Sequence, residues 1–184
     1  QEVYVRLRSA NLDECFGLLL ARHADLAIVY SAMPAQDEPS SDYLETVEIG
    51  TDCLVPVLRP DLAQALQDRT GLSEVPFVAY PSTVFFGRIM TERILPLLDP
   101  GTVALPKAET ALTIAALEMA AAGVAVAWVP LSLARPGILQ GRIADMSRIL
   151  PQCPLAVRAV RLRGAREPAE DVVWSQILAL RATE

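Results

Sequence analysis

Six consecutive residues, Val124-Ala125-Val126-Ala127-Trp128-Val129, carry no polar side-chain group except the indole N–H of Trp128. A strand sends alternate side chains to opposite faces. One that is apolar on both must be covered on both, as happens in parallel sheets clothed by helices. The flanking residues fit such a layer. Leu112, Ala116, Met119 and Ala120 recur at helical spacing, which predicts a helix over 110–122 with one buried stripe. Gly123 stands where a helix end favours a left-handed residue. Pro130 closes the strand, and Ser132 is placed to cap a short helix after it. In open α/β sheets ligands bind at the carboxyl ends of the strands, so the corner from Trp128 to Ser132 is the first place to look for function.

Other elements read the same way. Val3 to Arg8 alternates like a strand. Leu12, Phe16, Leu19 and Leu20 give the next segment an apolar stripe, with Asp13 and Glu14 in its first turn, and Leu26 to Tyr30 is a second apolar run. Strand, helix and strand in about thirty residues predict a parallel βαβ unit. Residues 31–42, rich in proline and serine, read as a surface loop. Leu44–Ile49 and Cys53–Leu58 read as two strands joined by a turn at Gly50–Asp52, with a short helix from Pro60 to Leu66. Pro76–Tyr80 is strand-like, and Pro81-Ser82 opens a helix burying Phe85, Ile89, Ile94 and Leu97 or Leu98. Thr102–Pro106 and Arg142–Met146 are short strands, Leu155–Leu162 is a longer one, and Pro168 begins a last helix with a stripe of Val173, Ile177 and Leu180.

This order predicts two α/β lobes, 1–57 with 158–184 and 58–157. The chain crosses between them near Val55–Leu58 and again near Leu155–Val160. Two lobes on two crossing strands make a hinge, and the cleft of such a hinge is a ligand site.

Composition narrows the function classes. The net charge of −6 argues against direct nucleic-acid binding, which needs a concentrated basic surface. Three scattered cysteines and one histidine, His23, supply neither a Cys-x-x-Cys pair nor a metal-ligand cluster, so no metal or cofactor is expected. Buried thiols are the plain reading of Cys15, Cys53 and Cys153, and their pattern fits a reducing cytoplasm. No apolar run approaches the ~20 residues of a membrane span, and the opening QEVYVRLR alternates like a strand rather than reading as a basic-then-apolar leader, so no leader peptide is expected in it.

Several stretches, in order, resemble the effector-binding (substrate-binding) domain of LysR-type transcriptional regulators. They are Asp25-Leu26-Ala27-Ile28-Val29 after the first helix, Leu54 to Leu58 followed by Arg59-Pro60-Asp61-Leu62-Ala63, and Pro76-Phe77-Val78-Ala79-Tyr80. Ala121-Ala122-Gly123, Val126-Ala127-Trp128-Val129-Pro130 and Leu139-Gln140-Gly141-Arg142-Ile143 complete the series. The resemblance implies a periplasmic-binding-protein-like (type 2) two-lobe fold that senses a small molecule in the interlobe cleft. It implies a cytoplasmic homodimer or homotetramer that contacts DNA only through an N-terminal helix-turn-helix domain outside this sequence. The helix at Leu12 to Leu20 is a candidate for the contact between copies, although core packing explains its leucines equally well. The βα unit that the family usually carries before the segment matching Val3–Arg8 is also absent, which predicts an open sheet edge in the first lobe. Two departures stand out. Arg22 occupies a helix end where the family often has glycine, and the usual Gly-x-Gly is Gly123-Val124-Ala125 here.

Polar groups at strand-to-helix corners are the effector-site candidates: Ser9 and Asn11 in the first lobe, and Ser82, Thr83, Glu109 and Thr110 in the second. Tyr80, Phe85, Trp128 and Pro130 would wall the site. A helix start with hydroxyl caps suits an anion, so a carboxylate effector would fit Ser82 and Thr83. The same hydroxyls would serve equally as helix caps, and Trp128 as core. Arg6, Arg8 and Arg88 read first as solvated faces. A solute-binding protein of a transport system is the alternative on the same fold. An enzyme is not expected, because no Ser-His-Asp or paired-carboxylate arrangement is readable.

Overall fold

The computed structural model describes residues 3–33, 42–68, 71–164 and 168–181, without the side chains of 180 and 181. The chain divides into two compact units, Gln1–Thr51 with Leu155–Glu184, and Asp52–Pro154. Two strands, β2 (Leu44–Leu58) and β7 (Cys153–Leu162), carry the chain from one unit to the other.

In unit 1, helix α1 (Leu12–Leu20) packs on β1 (Leu26–Ala32), which pairs antiparallel with β7 from Leu26 opposite Arg161 to Ala32 opposite Leu155. β7 in turn neighbours β2. Leu19, Leu155, Ala156, Ala159 and Val160 are buried here. So is Trp174 of helix α6 (Pro168–Arg181). Arg161, only 4% exposed, joins sheet to helix. Its guanidinium donates to Glu45 at 2.9 Å and to Asp171 at 3.0 Å, has Glu170 at 3.9 Å, and lies 4.3 Å above the Trp174 ring.

Unit 2 contains the apolar strand. Strand β3 (Glu74–Ala79) pairs in parallel with β4 (Val103–Glu109), and Phe77 bridges in parallel to Val126. The run then becomes β5 (Ala127–Pro130), antiparallel to the second half of β2, to which the short β6 (Ala144–Asp145) also pairs. Helix α4 (Thr113–Ala121) packs on β3 and β5, and α5 (Leu131–Leu139) on β5. Every residue from Ala125 to Pro130 is buried, as double coverage of the strand requires. Helix α2 (Pro60–Gln67) follows β2 directly, with proline in its first turn.

The structure corrects several sequence expectations. Val3–Arg8 is not a strand: no described segment pairs with it, and Tyr4, Val5 and Leu7 are exposed. The predicted parallel βαβ unit therefore does not form, and β1 finds its partner in the antiparallel β7. The turn at Gly50–Asp52 is also absent. None of the three residues takes positive φ, and β2 runs unbroken for 15 residues. The helix after Pro81 starts only at Phe85 (α3, Phe85–Ile89), passes through a π-helical turn at Met90–Ile94 and ends in a 3₁₀ turn at Leu95–Leu97. Arg22 keeps the left-handed corner at φ 55°, with Arg22 N–H donating to Leu19 and His23 N–H to Leu18. In α6 the buried side chain is Trp174, and Val173 and Ile177 are half-buried. Most of the loop read at residues 31–42 lies outside the described residues.

Candidate functional site

Strands β3 and β4 are parallel, and Val126, just before β5, bridges to β3 in the same direction, so the carboxyl ends of these segments meet at one edge of unit 2. Thr110 N–H donates to Ala79 C=O at 3.0 Å, tying the end of β4 to that of β3. The buried Tyr80 hydroxyl donates to the Trp128 carbonyl at 2.9 Å, tying β3 to β5. It also meets the Thr113 hydroxyl at the start of α4. Burial pushes the Tyr80 phenol well above its ordinary pKa, against the opposing effect of Thr113, so it is a neutral donor at physiological pH. Tyr80, Ser82, Thr83, Phe85, Glu109, Thr110, Trp128 and Pro130 all stand at or just beyond this edge.

Their surroundings differ. Val84 occupies the α3 cap position with no side-chain bond, so neither Ser82 nor Thr83 caps that helix. Both are exposed, and among the described residues neither hydroxyl is hydrogen-bonded. The corner that presents them is tight. A Cβ on Gly87 would lie 1.9 Å from the Pro81 carbonyl oxygen, while Val84 N–H donates to that oxygen and Arg88 reaches back to Thr83 C=O. Thr110, by contrast, spends its hydroxyl on Leu112 N–H in the approach to α4. Glu109 is exposed. The Trp128 ring is fully enclosed, edge-on to Phe77, and its indole donates to Pro151 C=O at 2.8 Å. Pro130 is buried as well. In unit 1, Ser9 and Asn11 are exposed, and Asn11 stands at the start of α1 without a side-chain cap bond.

Three contributors escaped the sequence reading. Phe86 sits 5.7 Å from Tyr80 and 5.4 Å from Phe85, forming an aromatic group from the two ends of the Ser82–Thr83 turn. Its neighbour Phe85 already filled the helical stripe, which concealed it. Thr113 was one more hydroxyl in a helix. Asp52 lies at the start of α5 from 80 residues away: its carboxylate accepts from Ser132 N–H at 3.2 Å and from the Ser132 hydroxyl at 2.5 Å. The positive end of α5 is thus met by the chain's own carboxylate. Only the aspartate in a β-forming segment hinted at this.

No group of His, Cys, Asp or Glu suited to a metal ion exists among the described residues. Nor is any helix among them long and apolar enough to cross a membrane. The model of the LysR substrate binding domain matches residues 1–181. The chain belongs to that family. The LysR-type domain is similar to solved structures. The crystal structure of VV2_1132, a LysR family transcriptional regulator, shares 27% identity at a TM-score of 0.71, over 92% of this chain and 56% of that one. The apo regulatory domain of HypT from Salmonella typhimurium shares 18% at 0.77, over 96% and 82%. DarR of Vibrio fischeri, solved in complex with DNA, shares 20% at 0.68, over 94% and 56%. The domain thus spans little more than half of the VV2_1132 and DarR chains. No functionally curated protein matches the sequence. The type 2 periplasmic-binding-protein-like fold expected from sequence is the fold of this family.

Proposed function

We propose that this LysR-type domain is the sensing part of a cytoplasmic transcriptional regulator. A small-molecule effector would bind at the carboxyl edge of the unit 2 parallel sheet. The observation that carries the reading is the Ser82–Thr83 corner: two exposed hydroxyls without a hydrogen bond among the described residues, in the turn that leads from Tyr80 at the end of β3 to the Phe85–Phe86 pair. Hydroxyl donors on a rigid turn suit a carboxylate or another oxygen-rich group, and the aromatic side chains suit an apolar body. Glu109 and Thr110 would border the site, and Trp128 and Pro130 would support it from the core. Ser9 and Asn11 remain the candidates from unit 1, on the sequence argument alone. An N-terminal DNA-binding domain in the full-length protein would receive the signal, and self-association as a dimer or tetramer is part of the proposal. The family match favours this reading over a transport solute-binding protein.

The test is a thermal-shift and calorimetric screen of small carboxylic acids against the domain, repeated on Ser82→Ala/Thr83→Ala. A hit that loses about tenfold or more in affinity, as removal of two donors implies, supports the site. A hit bound equally well by the double variant removes these hydroxyls from it.

A further inference from the structure

Two of the three thiols lie together at the margin of unit 2. Cys53 follows the first residue of that unit, and Cys153, the first residue of β7, precedes its last. They are far apart in sequence but lie on the neighbouring strands β2 and β7, near enough for the Cys153 thiol to act on the Cys53 thiol. The Cys53 thiol donates to Gln152 Oε1 at 3.4 Å, while the Cys153 thiol points to Pro154 C=O at 3.6 Å. The Cys53 thiol thus already reaches the residue before Cys153 from the neighbouring strand, and rotation about χ1 is the movement that would bring the two sulfurs together. Cys53 is half-exposed and Cys153 is buried, and both are free thiols. Cys15 is elsewhere, in α1 of unit 1, donating to Ala10 C=O.

We propose that Cys53 and Cys153 form an intramolecular disulfide when Cys53 meets a hydroperoxide. The Cys53 sulfur attacks one peroxide oxygen and the O–O bond breaks. The products are a Cys53 sulfenic acid and the alcohol of the peroxide, or water from hydrogen peroxide. The Cys153 sulfur then displaces the sulfenic hydroxyl, which leaves as water with the Cys153 thiol proton, and the S–S bond forms. The two thiols together give up two electrons and the peroxide takes them. Because Cys53 and Cys153 belong to β2 and β7, the bond joins the two strands by which the chain passes between its units.

The surroundings set the tempo. Burial, then the neighbouring Cys153, Asp52 and Asp145, push the Cys53 thiol up. Burial raises Cys153 against the opposing pull of Arg93. The thiolate is the attacking form, so closure is slow near neutrality and quickens roughly tenfold per pH unit while the thiol stays below its pKa. The pair is a slow staple rather than a rapid sensor.

The experiment treats the 184-residue chain with excess hydrogen peroxide at neutral and mildly alkaline pH, alkylates the remaining thiols, and maps unreduced peptides by mass spectrometry. The expected product is a Cys53–Cys153 cross-linked peptide, lighter by two hydrogens, reversed by dithiothreitol and formed faster at the higher pH. Cys15→Ser leaves the cross-link intact, and Cys153→Ser leaves a Cys53 sulfenic acid that dimedone traps. The mapping itself is done on the unsubstituted chain, so it stands even if a variant misfolds. Recovery of Cys53 as thiol or sulfinic acid with Cys153 alkylated, or a disulfide through Cys15 or to a second chain, overturns the proposal.

Discussion

Replacing Arg161 with methionine tests how unit 1 holds its last helix. The guanidinium is almost wholly buried, and the groups around it are unequally wet: the side chain of Glu170 is 11% exposed, Glu45 35% and Asp171 57%. Water reclaims Asp171 readily, so its loss counts as a surface pair, ~0–1 kcal/mol. The bond to Glu45 is charge-assisted and partly shielded, at about 1–2 kcal/mol after discounting for exposure. The stack on Trp174 adds about 1 kcal/mol. Glu170, the least exposed of the three carboxylates, loses the cation that lies 3.9 Å from it. Methionine keeps most of the stem's packing. The sum is about 3 kcal/mol, within the range for removing one partner of a buried ion pair. Urea denaturation followed by circular dichroism measures it, with two controls: Glu45→Gln, expected to lose about 1–2 kcal/mol, and Asp171→Asn, about 1 kcal/mol or less. A loss below ~1 kcal/mol for Arg161→Met would refute the reasoning, because it would mean that the cluster is no better than a surface pair.

Three further changes probe other points. Gly87→Ala places a methyl group inside contact distance of the Pro81 carbonyl oxygen; it should cost about 2–4 kcal/mol by forcing the 81–87 corner apart, read as a fall in Tm. Arg22→Gly should stabilise by about 1 kcal/mol in the same assay, since glycine meets no Cβ penalty at φ 55°. Tyr80→Phe removes a buried hydroxyl and orphans the Trp128 carbonyl, a loss of about 1–3 kcal/mol at neutral pH. The Tyr80 phenol titrates higher in the folded protein than in the unfolded chain. Above about pH 10 the unfolded chain releases this proton while the folded protein keeps it, so stability falls as pH rises through that window and is unaffected below it. Urea midpoints measured on both sides of the window should fall less steeply with pH in Tyr80→Phe than in the parent.

Unit 2 was largely legible in the sequence because its elements are decided locally. The Val124–Val129 run, the glycine after α4 and the prolines at 60, 81 and 130 each signal a boundary through their own backbone or burial chemistry. Boundaries slipped where side chains mattered: Thr110 bonds Leu112 N–H before the helix proper and delays α4 to Thr113. Unit 1 was less legible. Whether Val3–Arg8 forms a strand depends on a partner, which alternation alone does not supply. Gly50-Thr51-Asp52 has the composition of a turn, yet the ladder carries it straight through, and Asp52 uses its carboxylate on Cys53 N–H and Ser132 instead. The candidate site was readable as a set of corners. Which hydroxyls are spent and which are uncommitted was not, because that depends on contacts such as Thr110 to Leu112 and the cap at Val84 that no spacing encodes.

The chain has two tryptophans, and they are divided one to a unit: Trp128 enclosed in unit 2, Trp174 beneath Arg161 in unit 1. Each unit therefore carries a native optical reporter. Trp128→Phe leaves emission from unit 1 alone, and Trp174→Phe leaves emission from unit 2 alone. The melting of each half becomes separately visible with no dye attached, so the energetic independence of the two halves can be read from ordinary fluorescence.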